Sequence, residues 1–127
     1  MVATITPAQS EGNRLNEVLS EFLTIKGVIA AAIIGRDGFV IEGTSTASVD
    51  MDALGAMVAT AIGTTESLGA EFSLGLMEQY LAEFERGKVI MATVKDDILA
   101  IVTDQSAVIG GVRYAIRKHL NEVAEAM

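Results

Sequence analysis

Seven consecutive apolar residues, Val28-Ile29-Ala30-Ala31-Ala32-Ile33-Ile34, run into Gly35-Arg36-Asp37-Gly38 and out again into Phe39-Val40-Ile41-Glu42-Gly43. A run of that length is far short of the roughly 20 residues that cross a bilayer. Bounded by glycine-rich turn chemistry, it reads as the first arm of a β-hairpin. Asp37-Gly38 strengthens the reading, because glycine takes the positive φ of a tight turn without steric cost. Residues 76–84, 88–94 and 98–102 read as three further strands, parted by Glu85-Arg86-Gly87 and Lys95-Asp96-Asp97, each short enough for a hairpin turn.

Three helices complete the pattern. Leu15, Val18, Leu19, Phe22 and Ile25 recur at helical spacing, with Asn16, Glu17 and Glu21 on the other side, and this helix is expected to end near Thr24. Thr6-Pro7-Ala8-Gln9 has the form of its capped start, which Gly12 weakens. A second helix is expected over residues 50–72, after the polar stretch 44–48, with Ser48 or Asp50 as cap. A third begins at Ser106 or Ala107 and turns Ile109, Val112, Ile116, Leu120 and Val123 inward. The order α-β-β-α-β-β-β-α, with its strands linked by hairpins, implies an α+β fold: a five-stranded antiparallel sheet flanked by helices. The 127 residues suit a single domain, with residues 1–12 as a flexible N-terminus.

The second helix carries the most informative surface. Leu54, Val58, Ala61, Ile62, Thr65 and Leu68 form one apolar side, while Gly55, Ala59 and Gly63 recur every four residues on another, flanked by Ala56 and Thr60. Between Asp52 and Glu66 there is no charged residue at all. A helix with one face in water ordinarily carries charge there, so this stretch is expected to be buried against a second protomer.

Composition removes several classes of function. There is no cysteine and one histidine, so disulfides, zinc sites and thiol catalysis all lack their residues. The net charge of −8 repels phosphates and argues against nucleic acid or anionic lipid as partner. No basic-then-apolar leader opens the sequence, and a cytoplasmic protein without membrane insertion is expected.

The remaining candidate sites read as ordinary structure. No nucleotide-binding glycine motif stands between a strand and a helix, and Gly110-Gly111 reads as close packing or a helix start rather than an anion site. Asp96-Asp97 fall in a turn, and Glu83 and Glu85 share a strand face with no nucleophile beside them. His119 has only Glu122 and Glu125 at helical spacing and reads as an exposed helix residue. Met51, Met57, Met77 and Met91 read as core or interface, and Arg113, Arg117 and Lys118 as a solvated helix face. No cofactor, metal or catalytic residue is expected.

The element order, with Gly27-Val28-Ile29-Ala30-Ala31-Ala32-Ile33-Ile34-Gly35-Arg36-Asp37-Gly38, Phe84-Glu85-Arg86-Gly87-Lys88-Val89-Ile90-Met91-Ala92-Thr93-Val94 and Ile98-Leu99-Ala100-Ile101-Val102-Thr103-Asp104, resembles the roadblock / dynein light chain family, and in particular its prokaryotic gliding-motility type. The likeness spans residues 15–121. It implies a profilin-like or longin-like sandwich and a homodimer in which the second helix and third strand meet their mates, fusing two sheets into one. The interface then contains Gly55, Ala56, Ala59, Thr60, Gly63, Met77, Gln79 and Leu81. It also implies a non-catalytic scaffold or regulator of a small Ras-like GTPase, for which Asp50, Asp52, Glu66 and Glu71 form an acidic rim. Arg36 and Arg86 stand on hairpin turns and are expected to be solvent residues rather than arginine fingers, since the family acts without a fixed finger position. The alternative is a small-ligand sensor with a pocket between sheet and helix. The scarcity of aromatics, 5% of residues, weighs against it.

Overall fold

The structure, a computed structural model, describes residues 7–127, with side chains from Arg14 onward. Its elements are α1 (Pro7–Phe22), β1 (Val28–Ile34), β2 (Val40–Ser45), α2 (Met51–Glu71), β3 (Gln79–Phe84), β4 (Gly87–Val94), β5 (Asp97–Asp104) and α3 (Ile109–Ala126). The expected α+β order is the observed one. Boundaries move by a few residues: β2 continues into the stretch expected to be loop, β3 starts three residues later than expected, and α3 starts at Ile109. The helix from Pro7 occupies part of the stretch expected to be flexible, while residues 1–6 and the expected Thr6 cap lie outside the described residues.

The five strands lie in the order β2-β1-β5-β4-β3, and every neighbouring pair is antiparallel. β1 and β5 are inner strands, which is why their sequences are nearly continuous apolar runs rather than alternating ones: both of their faces are covered. On one face α1 and α3 pack side by side over Ile33, Ile90, Leu99 and Ile101, with Leu19, Phe22, Val112 and Val123 supplied by the helices. On the other, α2 alone supplies Val58 and Ile62 against Ala32, Ile34, Met91, Ile98 and Ala100.

The β1–β2 turn closes as its sequence requires. Gly38 has φ +92°, its N–H donates to the Gly35 carbonyl at 2.9 Å, and the Asp37 carboxylate accepts from the Phe39 N–H at 3.1 Å. α2 starts on Asp50, whose carboxylate accepts the Ala53 N–H at 3.1 Å. α3 has no side-chain cap. Before it, Asp104 closes the turn instead, accepting from the Ser106 N–H at 2.8 Å and the Ser106 hydroxyl at 2.6 Å. Those two bonds hold the Asp104 carboxyl below the ordinary aspartate value, helped by Lys26 and opposed by desolvation.

Gly55 is where packing tolerates nothing larger. A Cβ there would collide with the Gly38 carbonyl oxygen, because the β1–β2 turn presses directly onto α2. Gly55→Ala is therefore expected to cost about 1–3 kcal/mol in urea unfolding. Gly110→Ala, where the added methyl meets nothing within 4 Å, should instead gain up to about 1 kcal/mol. For Asp104 the depressed folded value means that its contribution is complete above the ordinary aspartate range and fades as pH falls through the depressed value. Asp104→Asn should remove this acid-side portion of the stability curve, measured by urea melts across the acid range.

Candidate interaction face

Strands in a sheet stand about 4.8 Å apart and a helix with its side chains is about 10 Å wide, so one helix cannot roof five strands. The pair α1 and α3 covers its face; α2 lies over β2, β1, β5 and part of β4 on the other, and the β3 side is left open. There Tyr80, Ala82 and Phe84 of β3 stand opposite Met91, Val89 and Gly87 on the α2 side of the sheet. Between them and α2 runs a groove of about 280 Å³, walled by Leu54, Met57, Val58 and Ala61 from the helix. The Tyr80 hydroxyl is the one polar side-chain group among its lining residues.

The water-facing side of α2 continues this surface. Ala56, Met57, Thr60, Gly63, Thr64, Ser67 and Leu68 are exposed, and none is charged. Beyond the helix, Phe72, Leu74 and Leu76 project into solvent, and Leu76 is 92% exposed. The threonines and Ser67 do not claim water for the helix, since Thr60, Thr64 and Ser67 each donate their hydroxyl to a backbone carbonyl one turn earlier. β3 bounds the surface as an edge strand, hydrogen-bonded on one side to β4, and no strand among the described residues pairs with its other side.

The expected interface residues divide on this geometry. Ala56, Thr60 and Gly63 lie on the exposed face of α2, with no atom within 4 Å of a Cβ built on Gly63. Ala59 sits at the edge, half-buried, and faces Gly38. Gly55 is buried against the chain's own turn, so its size answers an internal contact. Met77 precedes β3 and lines the mouth of the same surface, its carbonyl accepting from the Thr93 hydroxyl at 2.8 Å. Gln79 and Leu81 belong to the opposite register: Leu81 packs toward the α1 and α3 core, and only the backbone of the pair reaches the open edge. On the α2 side of β3 the side chains are those of Tyr80, Ala82 and Phe84, the alternate set to Gln79 and Leu81. The signal for them was the alternation along β3, and a strand expected to begin at residue 76 carried no anchor for which phase faced the helix.

The acidic residues are likewise spread. Asp52 and Glu71 are exposed at the two ends of α2. Asp50 is occupied as the helix cap, and Glu66 is paired with the Arg36 guanidinium on the side of α2 toward the β1–β2 turn. Arg36 also donates through Nε to the Asp96 carbonyl at 2.9 Å, so it clasps two hairpin turns and α2 together. That engagement holds Arg36 to its own chain, whereas Arg86 stands exposed on the β3–β4 turn. Met91 is buried and Met51 and Met77 half-buried, but Met57 is 72% exposed on the candidate face. His119 lies across the sheet, between Glu21 and Glu122. The Arg36–Glu66 pair is about one-third exposed, and a double-mutant cycle with Arg36→Ala and Glu66→Ala should give a coupling of about 0.5–1 kcal/mol in urea melts, reduced by added salt.

Comparison with known proteins places this architecture. The family model of the Roadblock/LC7 domain matches residues 14–104. The uncharacterized protein MJ0310 of Methanocaldococcus jannaschii is 31% identical over 109 residues, covering 86% of this chain and 96% of that protein. Among solved structures, the gliding protein MglB of Thermus thermophilus superposes with a TM-score of 0.86 over 99% of this chain and 97% of its own, at 21% identity. Profilin IA of Acanthamoeba castellanii superposes more loosely, with a TM-score of 0.60 at 16% identity, over 90% of this chain and 96% of profilin. No helix among the described residues is long and apolar enough to cross a membrane. With element order, sheet and matched span in agreement, the chain belongs to the Roadblock/LC7 family.

Proposed function

We propose that this chain is a non-catalytic, cytoplasmic, homodimeric module that docks and regulates a small Ras-like GTPase. The observation that carries the dimer is the open β3 side of the α2 face: an apolar groove, a charge-free helix surface and an unpaired strand edge lie side by side. A second copy turned about a two-fold axis supplies all three complements at once, because an isologous contact places the same patch on both partners. Its α2 covers what one helix leaves bare, and its β3 extends the sheet. Exposed Met57, Phe84 and Leu76 become buried anchors of the kind that dominate interface energetics.

The GTPase reading rests on family membership and on the surface such a dimer would present. Two α2 helices side by side make one continuous platform across the axis, broad enough for a single partner to contact both protomers. Asp52 and Glu71 are the rim carboxylates left free by their own chain, and they would steer a basic patch on the partner. Asp50 and Glu66 can join the rim only while serving as cap and ion-pair partner. The sensor reading gains nothing from the groove, where polar groups do not converge.

The test of assembly is sedimentation of the wild type, expected to be dimeric at micromolar concentration, against Met57→Asp and Gly63→Arg. Both should sediment as monomer, since an unpaired charge in a close contact costs several kcal/mol; two well-folded dimers would place the interface elsewhere. For the partner, Asp52→Lys with Glu71→Lys should slow association with a GTP-loaded Ras-like GTPase and flatten its salt dependence, each charge being worth about 0.5–1 kcal/mol. Turnover measured with Arg86→Ala should be unchanged from wild type; a fall to the intrinsic rate of the GTPase would instead make Arg86 a catalytic finger.

A further inference from the structure

On the opposite face of the sheet, where α1 and α3 lie together, the chain's single histidine sits between two carboxylates from different helices. His119 Nδ1 is 3.3 Å from Glu21 Oε2, at the end of α1, and 3.3 Å from Glu122 Oε1, one turn along α3. All three donor atoms lie within 4.8 Å of one another. The imidazole is held from below: its side chain is 20% exposed, and its ring meets that of fully buried Phe22 edge-on at 5.7 Å and 75°. Both carboxylates are half in water.

An ion pair alone is a poor account of this arrangement. Charge-assisted N–H···O bonds are about 2.7–2.9 Å long, and a single Nδ1–H cannot point along two of them at once. The neutral tautomer with its proton on Nε2 is worse, for it turns a lone pair toward two anions. Three electron-rich donors converging on one point are what a cation requires. The spacing fits as well: zinc–nitrogen and zinc–oxygen bonds of about 2.0–2.2 Å subtend tetrahedral edges of roughly 3.3–3.5 Å. Two of the three edges already have that length, and the third closes by rotating half-exposed carboxylates. The donor set of one imidazole and two carboxylates suits zinc and its transition-metal neighbours, whereas magnesium and calcium favour oxygen alone.

We propose that Glu21, His119 and Glu122 form a zinc-class divalent cation site that clasps the end of α1 to α3, with a water completing the tetrahedron on the solvent side. The site is separate from α2 and the β3 edge, across the sheet, so it stands or falls independently of the dimer and the GTPase. Its effect is to cross-link two helices that otherwise meet through apolar contacts, stabilising the N-terminal helix on its sheet. Sequence spacing offered Glu122 and Glu125; Glu21 arrives from 98 positions away through the packing of α1 on α3.

The test uses untagged full-length protein, stripped with a chelator and then titrated with Zn²⁺, with Mg²⁺ as the contrasting ion. Expected are one Zn²⁺ per chain by calorimetry, a rise of about 5 °C in melting temperature at saturation, and no response to Mg²⁺. Because His119 is the sole imidazole, its ring resonances should shift on zinc addition and report the ligand directly. Glu21→Gln, at a half-exposed position that leaves the core intact, should weaken binding at least tenfold and abolish the thermal shift, as should His119→Gln. Absence of zinc binding by the wild type would overturn the proposal and leave a plain ion pair. Undiminished binding by Glu21→Gln would overturn it too, placing the metal elsewhere.

Discussion

Unequal roofing of the two sheet faces governs the rest of this molecule. Two helices fill one side, and every large apolar side chain of β1, β4 and β5 that points that way is buried. On the other side α2 is drawn toward β2 and β1, because the β1–β2 turn presses onto Gly55 and Arg36 ties the turn to Glu66. Pulled to that end, the helix cannot also cover β3. The open groove is thus a consequence of where α2 is anchored.

α2 is accordingly a helix with two different reasons for small residues. Gly55 is small because the chain's own backbone approaches it, whereas Thr60 and Gly63 are small on the exposed side of the helix, where no described atom lies within 4 Å of a Cβ built on Gly63. Hydroxyls folded back onto the helix backbone keep that outer side smooth and weakly hydrated. A helix of this kind contributes little to protomer stability through its outer half. Its low charge is best understood as suitability for contact, the same property that leaves it exposed as an apolar surface when alone.

The α1 and α3 side is built on the opposite plan. Its apolar seam is closed, and its exposed rim carries charge, including the carboxylates around His119. Helices joined chiefly by side-chain packing can slide relative to one another at modest energetic cost, and a polar link across their outer edge resists that motion. Asn16 of α1, donating to Glu42 of β2 at 3.1 Å, ties the same helix to the sheet.

Local chemistry was enough to read the order of elements, the hairpin at Asp37-Gly38, the apolar stripe of α1 and the span of α2, because each depends on neighbours within a few residues: turn φ, capping, and side-chain period. Family membership was legible for the same reason, since the residues that carry the resemblance lie within and around consecutive strands. The phase of β3 was not legible: Gln79 and Leu81 differ from Tyr80 and Ala82 only by which face of a sheet they meet, and that is set by the register with β4. Nor was the division of the small residues on α2, because a Cβ at Gly55 is forbidden by a carbonyl 17 positions away. The pairing of Arg36 with Glu66 and the convergence of Glu21 on His119 likewise required the packed molecule. Sequence determined which segments form and which faces are apolar; only the tertiary structure decided which of those faces the chain covers by itself, because coverage depends on where distant elements are anchored.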